Sequence, residues 1–128
     1  MIIGIGTDLV EITRIARLQA RHPAFAQRLL NPEEYAQWQA KGAPMAWLAK
    51  RWAGKEAVLK ALGTGLRAGL RFQQITLLNN ELGTPILTLT GACAELAAHR
   101  GIDHWHISLS DERAYALAFV VAEGNKRA

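Results

Sequence analysis

The sequence predicts an α+β domain, mostly antiparallel sheet with helices clustered in the first half, and three observations carry that expectation. Apolar residues recur at helical spacing in runs between Glu11 and Leu62. Short β-branched or alternating segments open the chain and fill most of its length beyond Gln74. The last two such segments are joined through Asp111-Glu112-Arg113, so the chain closes in a hairpin. At 128 residues, half of them hydrophobic, the chain suits one domain spanning 1–128 with one core. No internal repeat or linker divides it.

Taken in order, Met1 to Thr7 reads as a strand in which Gly4 and Gly6 leave bare backbone on one face, and Asp8 stands where it ends. From Glu11 to His22 the residues Ile12, Ile15, Ala16 and Leu18 mark a helix that Pro23 stops. Asn31-Pro32-Glu33-Glu34 is an N-cap, a first-turn proline and a capping glutamate, opening a helix that Gly42 closes. A longer helix runs from about Pro44 to Leu62, with Gly63 as its stop. Beyond the glycine-rich connection Gly63 to Gly69 come a strand from Gln74 to Leu78, a turn from Asn79 to Gly83, and its partner from Pro85 to Thr90. Gly91 to Arg100 is a short alanine-rich helix, followed by strands from Trp105 to Ser110 and from Tyr115 to Ala122. Disorder is expected only in the tail, Glu123 to Ala128.

The net charge of +4 suits an anionic partner: nucleic acid, a phosphorylated cofactor or an acidic protein. The single cysteine, Cys93, has no internal partner and fits a reducing cytoplasm. Met1 to Asp8 lacks the basic and apolar regions of a signal peptide, and no stretch is long enough to span a membrane.

The long helix is the most informative segment. Laid out at 100° per residue, Ala53, Gly54, Ala57 and Ala61 form a small face, while Trp47, Leu48, Trp52, Val58, Leu59 and Leu62 cover most of the other. Arg51 and Lys55 project from within that apolar arc, with Glu56 and Lys60 at its edge. Glu56 and Lys60 form a favourable i,i+4 pair, whereas Arg51 and Lys55 are like charges at the same spacing, which calls for an anion between them or for snorkelling stems.

Asp8 also admits two readings. Locally, Asp8-Leu9-Val10-Glu11 reads better as a capping box; the alternative is a hard oxygen ligand for magnesium, with Glu56 as the second. Arg14, Arg17 and Arg21 make a basic stripe opposite Ile12 and Ile15, either a solvated face or a dock for an acidic partner. His106 alternates with apolar residues in a strand and shares a face with Ser108 and Ser110. No zinc set, phosphate-binding loop or hydrolase elbow is present.

Gly4-Ile5-Gly6-Thr7-Asp8 with Glu11, Ile12 and Arg14, and about forty residues later Arg51-Trp52-Ala53-Gly54-Lys55-Glu56-Ala57 with Lys60-Ala61-Leu62-Gly63-Thr64-Gly65, resemble the two signatures of holo-acyl-carrier-protein synthases, the small single-domain 4′-phosphopantetheinyl transferases. Phe25 to Leu30 with Glu34, Gly83-Thr84-Pro85, and His106 to Ser110 extend the likeness over nearly the whole chain; Asp111 departs from it where many relatives have histidine.

The resemblance implies a 4′-phosphopantetheinyl transferase-like fold in which Asp8 and Glu56 hold Mg2+ against the pyrophosphate of coenzyme A, with Lys60 completing the catalytic set. It implies that Arg51, Lys55 and Lys60 neutralise phosphate oxygens, that Gly63, Gly83, Pro85 and His106 line the cofactor pocket, and that Arg14 and Arg21, with Arg17 between them, dock an acidic acyl carrier protein. It further implies a cytoplasmic homotrimer with sites at subunit interfaces, serving fatty acid biosynthesis. The rival readings are a basic nucleic-acid-binding module and a non-catalytic carrier-protein-binding homologue; Trp47 and Trp52 as core residues, and the lack of a nucleic-acid motif, weigh against the first.

Overall fold

The computed structural model describes residues 1–67 and 69–125. Its elements follow the chain as β1 (Ile2–Glu11), α1 (Ile12–Arg21), α2 (Phe25–Leu29), α3 (Pro32–Ala40), α4 (Met45–Ala61), a 3-10 turn (Phe72–Gln74), β2 (Ile75–Asn79), β3 (Pro85–Leu89), α5 (Gly91–His99), β4 (Ile102–Glu112) and β5 (Tyr115–Gly124). Two antiparallel sheets result, β1-β5-β4 and β2-β3, so the expected α+β class with early helices is what forms.

The central strand explains why α4 can lie across the larger sheet. Along β5 the inward residues Ala116, Ala118, Val120 and Ala122 are all fully buried and, valine apart, carry no more than a methyl group. The approach is closest at β1. A Cβ on Gly6 would stand 1.8 Å from the Ala57 carbonyl oxygen, and one on Gly4 2.0 Å from that of Ala61. The glycine face of β1 thus meets the alanine face of α4 backbone to backbone. Gly6→Ala is expected to cost about 1–3 kcal/mol or more, because the clash is with a carbonyl that no rotamer can move; a urea unfolding midpoint close to wild type would refute it.

Sheet pairing also alters the expected start of the chain. β1 continues past Thr7 to Glu11, pairing Asp8 with Ala118, and the backbone amide of Ile12 still donates to Ala114 O at 2.8 Å. Glu11, extended at φ −72° and ψ 130°, is the N-cap of α1 and makes no side-chain cap. The Asp8–Glu11 capping box therefore does not form: ladder bonds to β5 hold residues 8–11 extended and leave the Asp8 carboxylate free for other work.

The capping box expected at α3 is present, with Glu34 N donating to Asn31 Oδ1 at 3.0 Å and Asn31 N to Glu34 Oε1 at 2.9 Å. Helix α2, five residues long, was too short to show a period. Of the tail expected to be disordered, Glu123 and Gly124 belong to β5, where Gly124 N donates to Met1 O at 2.9 Å; residues 126–128 lie outside the described residues. No helix among the described residues is long and apolar enough to cross a membrane.

Candidate active site

The seam between β1 and α4 places the acidic residues. Side chains alternate along a strand, so Asp8 shares the face of Gly4 and Gly6 and points at α4. There Lys60 Nζ donates to Asp8 Oδ1 at 3.1 Å and to Thr7 O at 2.9 Å, while Asp8 Oδ2 is buried with no hydrogen-bond partner. Glu56 stands one turn before Lys60, half-buried. Burial, and then the negative charge of Asp8, push its carboxyl above its ordinary value; Lys60 and Arg14 pull it the other way.

A partnerless buried oxygen beside a second carboxylate with raised proton affinity is an arrangement short of one cation. No group of three or more His, Cys, Asp or Glu stands together among the described residues, so a metal here would have Asp8 and Glu56 as its protein oxygens and leave its other positions to water and substrate. That donor set fits Mg2+, which keeps several waters and commonly takes one or two carboxylates together with phosphate.

The structure corrects the expectation that Arg51 and Lys55 meet phosphate. Lys55 is 0% exposed and all three ammonium protons are engaged, by Glu34 Oε1 at 2.6 Å, Leu29 O at 2.7 Å and Phe72 O at 3.0 Å. Arg51 is 1% exposed; its Nε donates to Leu77 O at 2.9 Å and its Nη2 to Asn79 Oδ1 at 3.0 Å, with the guanidinium stacked 3.7 Å from the centre of the Trp47 ring. Burial lowers the pKa of both, to about 10 for Arg51, against the opposing pull of Glu34.

Glu34 is thus the anion that the like-charged pair required. Its Oε2 also accepts from Leu77 N at 2.7 Å, tying α3, α4 and β2 together. The sequence marks Glu34 as a helix cap and as part of the resemblance, with no role beyond these. Nothing local announced that the same carboxylate reaches a lysine on another helix.

The basic stripe forms as expected, with Arg14, Arg17 and Arg21 around Leu18 in a surface groove of about 190 Å3. Arg14 also lies over the Trp52 ring, 5.7 Å from its centroid, and Trp52 packs between Phe25 and Phe72. The remaining candidates stand apart from the carboxylates. His106 is on the outer face of the three-stranded sheet, opposite to Asp8, and its Nε2 is 2.9 Å from Glu123 Oε1. Gly83, at φ +82°, and Pro85 belong to the β2-β3 hairpin, which packs on α3, α4 and β4. Gly63, at φ +80°, ends α4 in a groove of about 540 Å3 shared with Arg67 and Arg100. Asp111, the departure from the resemblance, bonds Lys50 at 2.8 Å.

The sequence model of the 4′-phosphopantetheinyl transferase superfamily matches residues 4–120. The chain belongs to that superfamily. Among phosphopantetheinyl transferases, a holo-[acyl-carrier-protein] synthase of Hydrogenovibrio crunogenus is 51% identical over 96% of this chain and 98% of its own. The crystal structure of holo-[acyl-carrier-protein] synthase from Neisseria meningitidis superposes with a TM-score of 0.89 at 44% identity, covering 96% of this chain and 99% of that one. The Helicobacter pylori enzyme, solved in complex with coenzyme A, gives 0.81 at 31% identity over 93% and 99%. This phosphopantetheinyl transferase is therefore of the holo-acyl-carrier-protein synthase type.

Proposed function

We propose that the chain transfers the 4′-phosphopantetheine arm of coenzyme A to a serine of an acidic acyl carrier protein, with Mg2+ and release of 3′,5′-ADP, in support of fatty acid biosynthesis in the cytoplasm. The observation that supports it best is Asp8 Oδ2, buried and partnerless, with Glu56 and Lys60 beside it. Bound by Asp8 and Glu56, Mg2+ supplies positive charge to the pyrophosphate. Lys60, over half exposed, adds a second cation on the same side.

In the reaction the serine oxygen attacks the β-phosphorus of coenzyme A, the bond from that phosphorus to the bridging oxygen breaks, and 3′,5′-ADP leaves with the electron pair. The serine proton needs an acceptor within hydrogen-bond reach. Glu56, whose proton affinity is raised, is the side chain suited to take it, directly or through a water. Asp8 and Lys60 hold the reactants in line, which in phosphoryl transfer is most of the task.

The stripe of Arg14, Arg17 and Arg21 is the dock for the carrier. Arg21→Glu is expected to raise the KM for carrier protein in a salt-sensitive way and leave the KM for coenzyme A unchanged. An altered coenzyme A KM alone would move the dock elsewhere.

The homotrimer belongs to the same proposal. Ile5, Leu9, Tyr115, Leu117 and Phe119 crowd the outer sheet face, Leu9 with 62% and Phe119 with 44% of its surface open, and exposed apolar side chains clustered on one face mark a contact surface. His106 shares that outer face, so assembly through it would place His106 at or beside the contact between protomers. Incubation with apo acyl carrier protein, coenzyme A and Mg2+ tests the whole reading: the carrier should gain the mass of the phosphopantetheine arm. An unchanged mass would overturn the proposal.

A further inference from the structure

We propose that Arg14 couples carrier docking to metal binding, so that an acidic partner seated on the arginine stripe tightens the grip of Asp8 and Glu56 on a divalent cation. The inference rests on the reading of Asp8 and Glu56 as the metal site and extends it.

Three features of the geometry set Arg14 apart from its neighbours. It lies in α1, which leaves β1 directly, so that it follows Asp8 by only six positions. Its guanidinium covers the Trp52 ring at 5.7 Å from the centroid, and Trp52 precedes Glu56 by one turn on the same side of α4. Trp52 is in turn held between Phe25 and Phe72, at centroid distances of 5.9 Å and 5.5 Å, so the platform beneath Arg14 is fixed. Of the three arginines in the stripe, Arg14 is the one stacked on α4, one turn before Glu56.

A cation held near two carboxylates competes with any metal they bind. With the stripe open to solvent, Arg14 repels a divalent ion at Asp8 and Glu56; an acidic carrier group paired with Arg14 offsets that repulsion. By linkage, the metal must then favour the carrier by the same factor. The acceptor serine and the fully charged metal site would so be assembled together.

The test is direct binding of Mn2+, followed by electron paramagnetic resonance on the full chain without coenzyme A. Arg14→Gln is expected to tighten Mn2+ roughly three- to tenfold, while Arg21→Gln, which removes the same charge farther along α1, changes it little. Adding an acyl carrier protein whose acceptor serine is replaced by alanine should tighten Mn2+ for wild type and not for Arg14→Gln. Equal effects of the two arginine substitutions, or no effect of either, would overturn the coupling. Mn2+ binding unchanged by Asp8→Asn would instead overturn the metal site itself, and the coupling with it.

Discussion

Asp8→Asn and Glu56→Gln are each expected to lower transfer to acyl carrier protein by roughly two to three orders of magnitude while leaving the fold in place. Both substitutions keep the shape of the side chain and remove its charge, so they separate the site from its scaffold. For Glu56 the stability effect even has the opposite sign. Burial and Asp8 raise its carboxyl above the ordinary value, so the folded chain binds that proton more tightly than the unfolded one. The associated stability is present below the unfolded value and lost as pH rises through the folded one; at neutral pH the ionised Glu56 is therefore a cost. Without metal, Glu56→Gln should melt higher than wild type at pH 7, and the difference should shrink on acidification as wild-type Glu56 takes up its proton. Adding Mg2+ should raise the melting temperature of wild type and not of the variant. Unimpaired turnover by both variants with ample Mg2+ would remove these carboxylates from the mechanism.

The largest loss of stability is expected at Glu34. Glu34→Ala leaves the ammonium of Lys55 fully buried without its counter-ion, at a cost of about 3–5 kcal/mol. The carbonyls of Leu29 and Phe72 remain, but they bring dipoles where a full negative charge stood. Leu77 N and Asn31 N lose their acceptor as well. The double variant Glu34→Gln with Lys55→Met removes both charges together and should be much less destabilised than the sum of the single changes. A simple sum in denaturant unfolding would show that the two side chains do not act as a pair. The same experiment bears on function, because Lys55 was expected from the resemblance to face phosphate, and a buried strut should affect folding before it affects the KM for coenzyme A.

The range of each interaction decides how much of it the sequence makes legible. The α3 capping box, the α4 stop at Gly63 and the glycine face of β1 are set by near neighbours or by a two-residue period, and the structure bears out all three. The end of β1 was hidden, because Asp8 is kept extended by a ladder to Ala118, 110 residues further on. The phosphate contact that the resemblance implies for Arg51 and Lys55 fails for a related reason. A helical wheel shows that two cations face an apolar arc, and only the fold shows that Glu34 waits there. The nucleic-acid reading, which leans on the basic charge and the tryptophans, is weakened once two of the chain's cations and Trp47 prove to be internal. His106 was correctly given a face shared with Ser108 and Ser110, yet its distance from Asp8 depends on sheet orientation, which alternation leaves undetermined.

Where β1 crosses α4, carbonyl oxygens meet bare α-carbons, and no flexible side chain lies between them to absorb movement. Such a seam cannot loosen by degrees; it opens only when strand and helix part company. Heat should therefore extinguish turnover and cooperative structure at one temperature, with amide protons of Gly6 and Asp8 exchanging among the slowest in the chain.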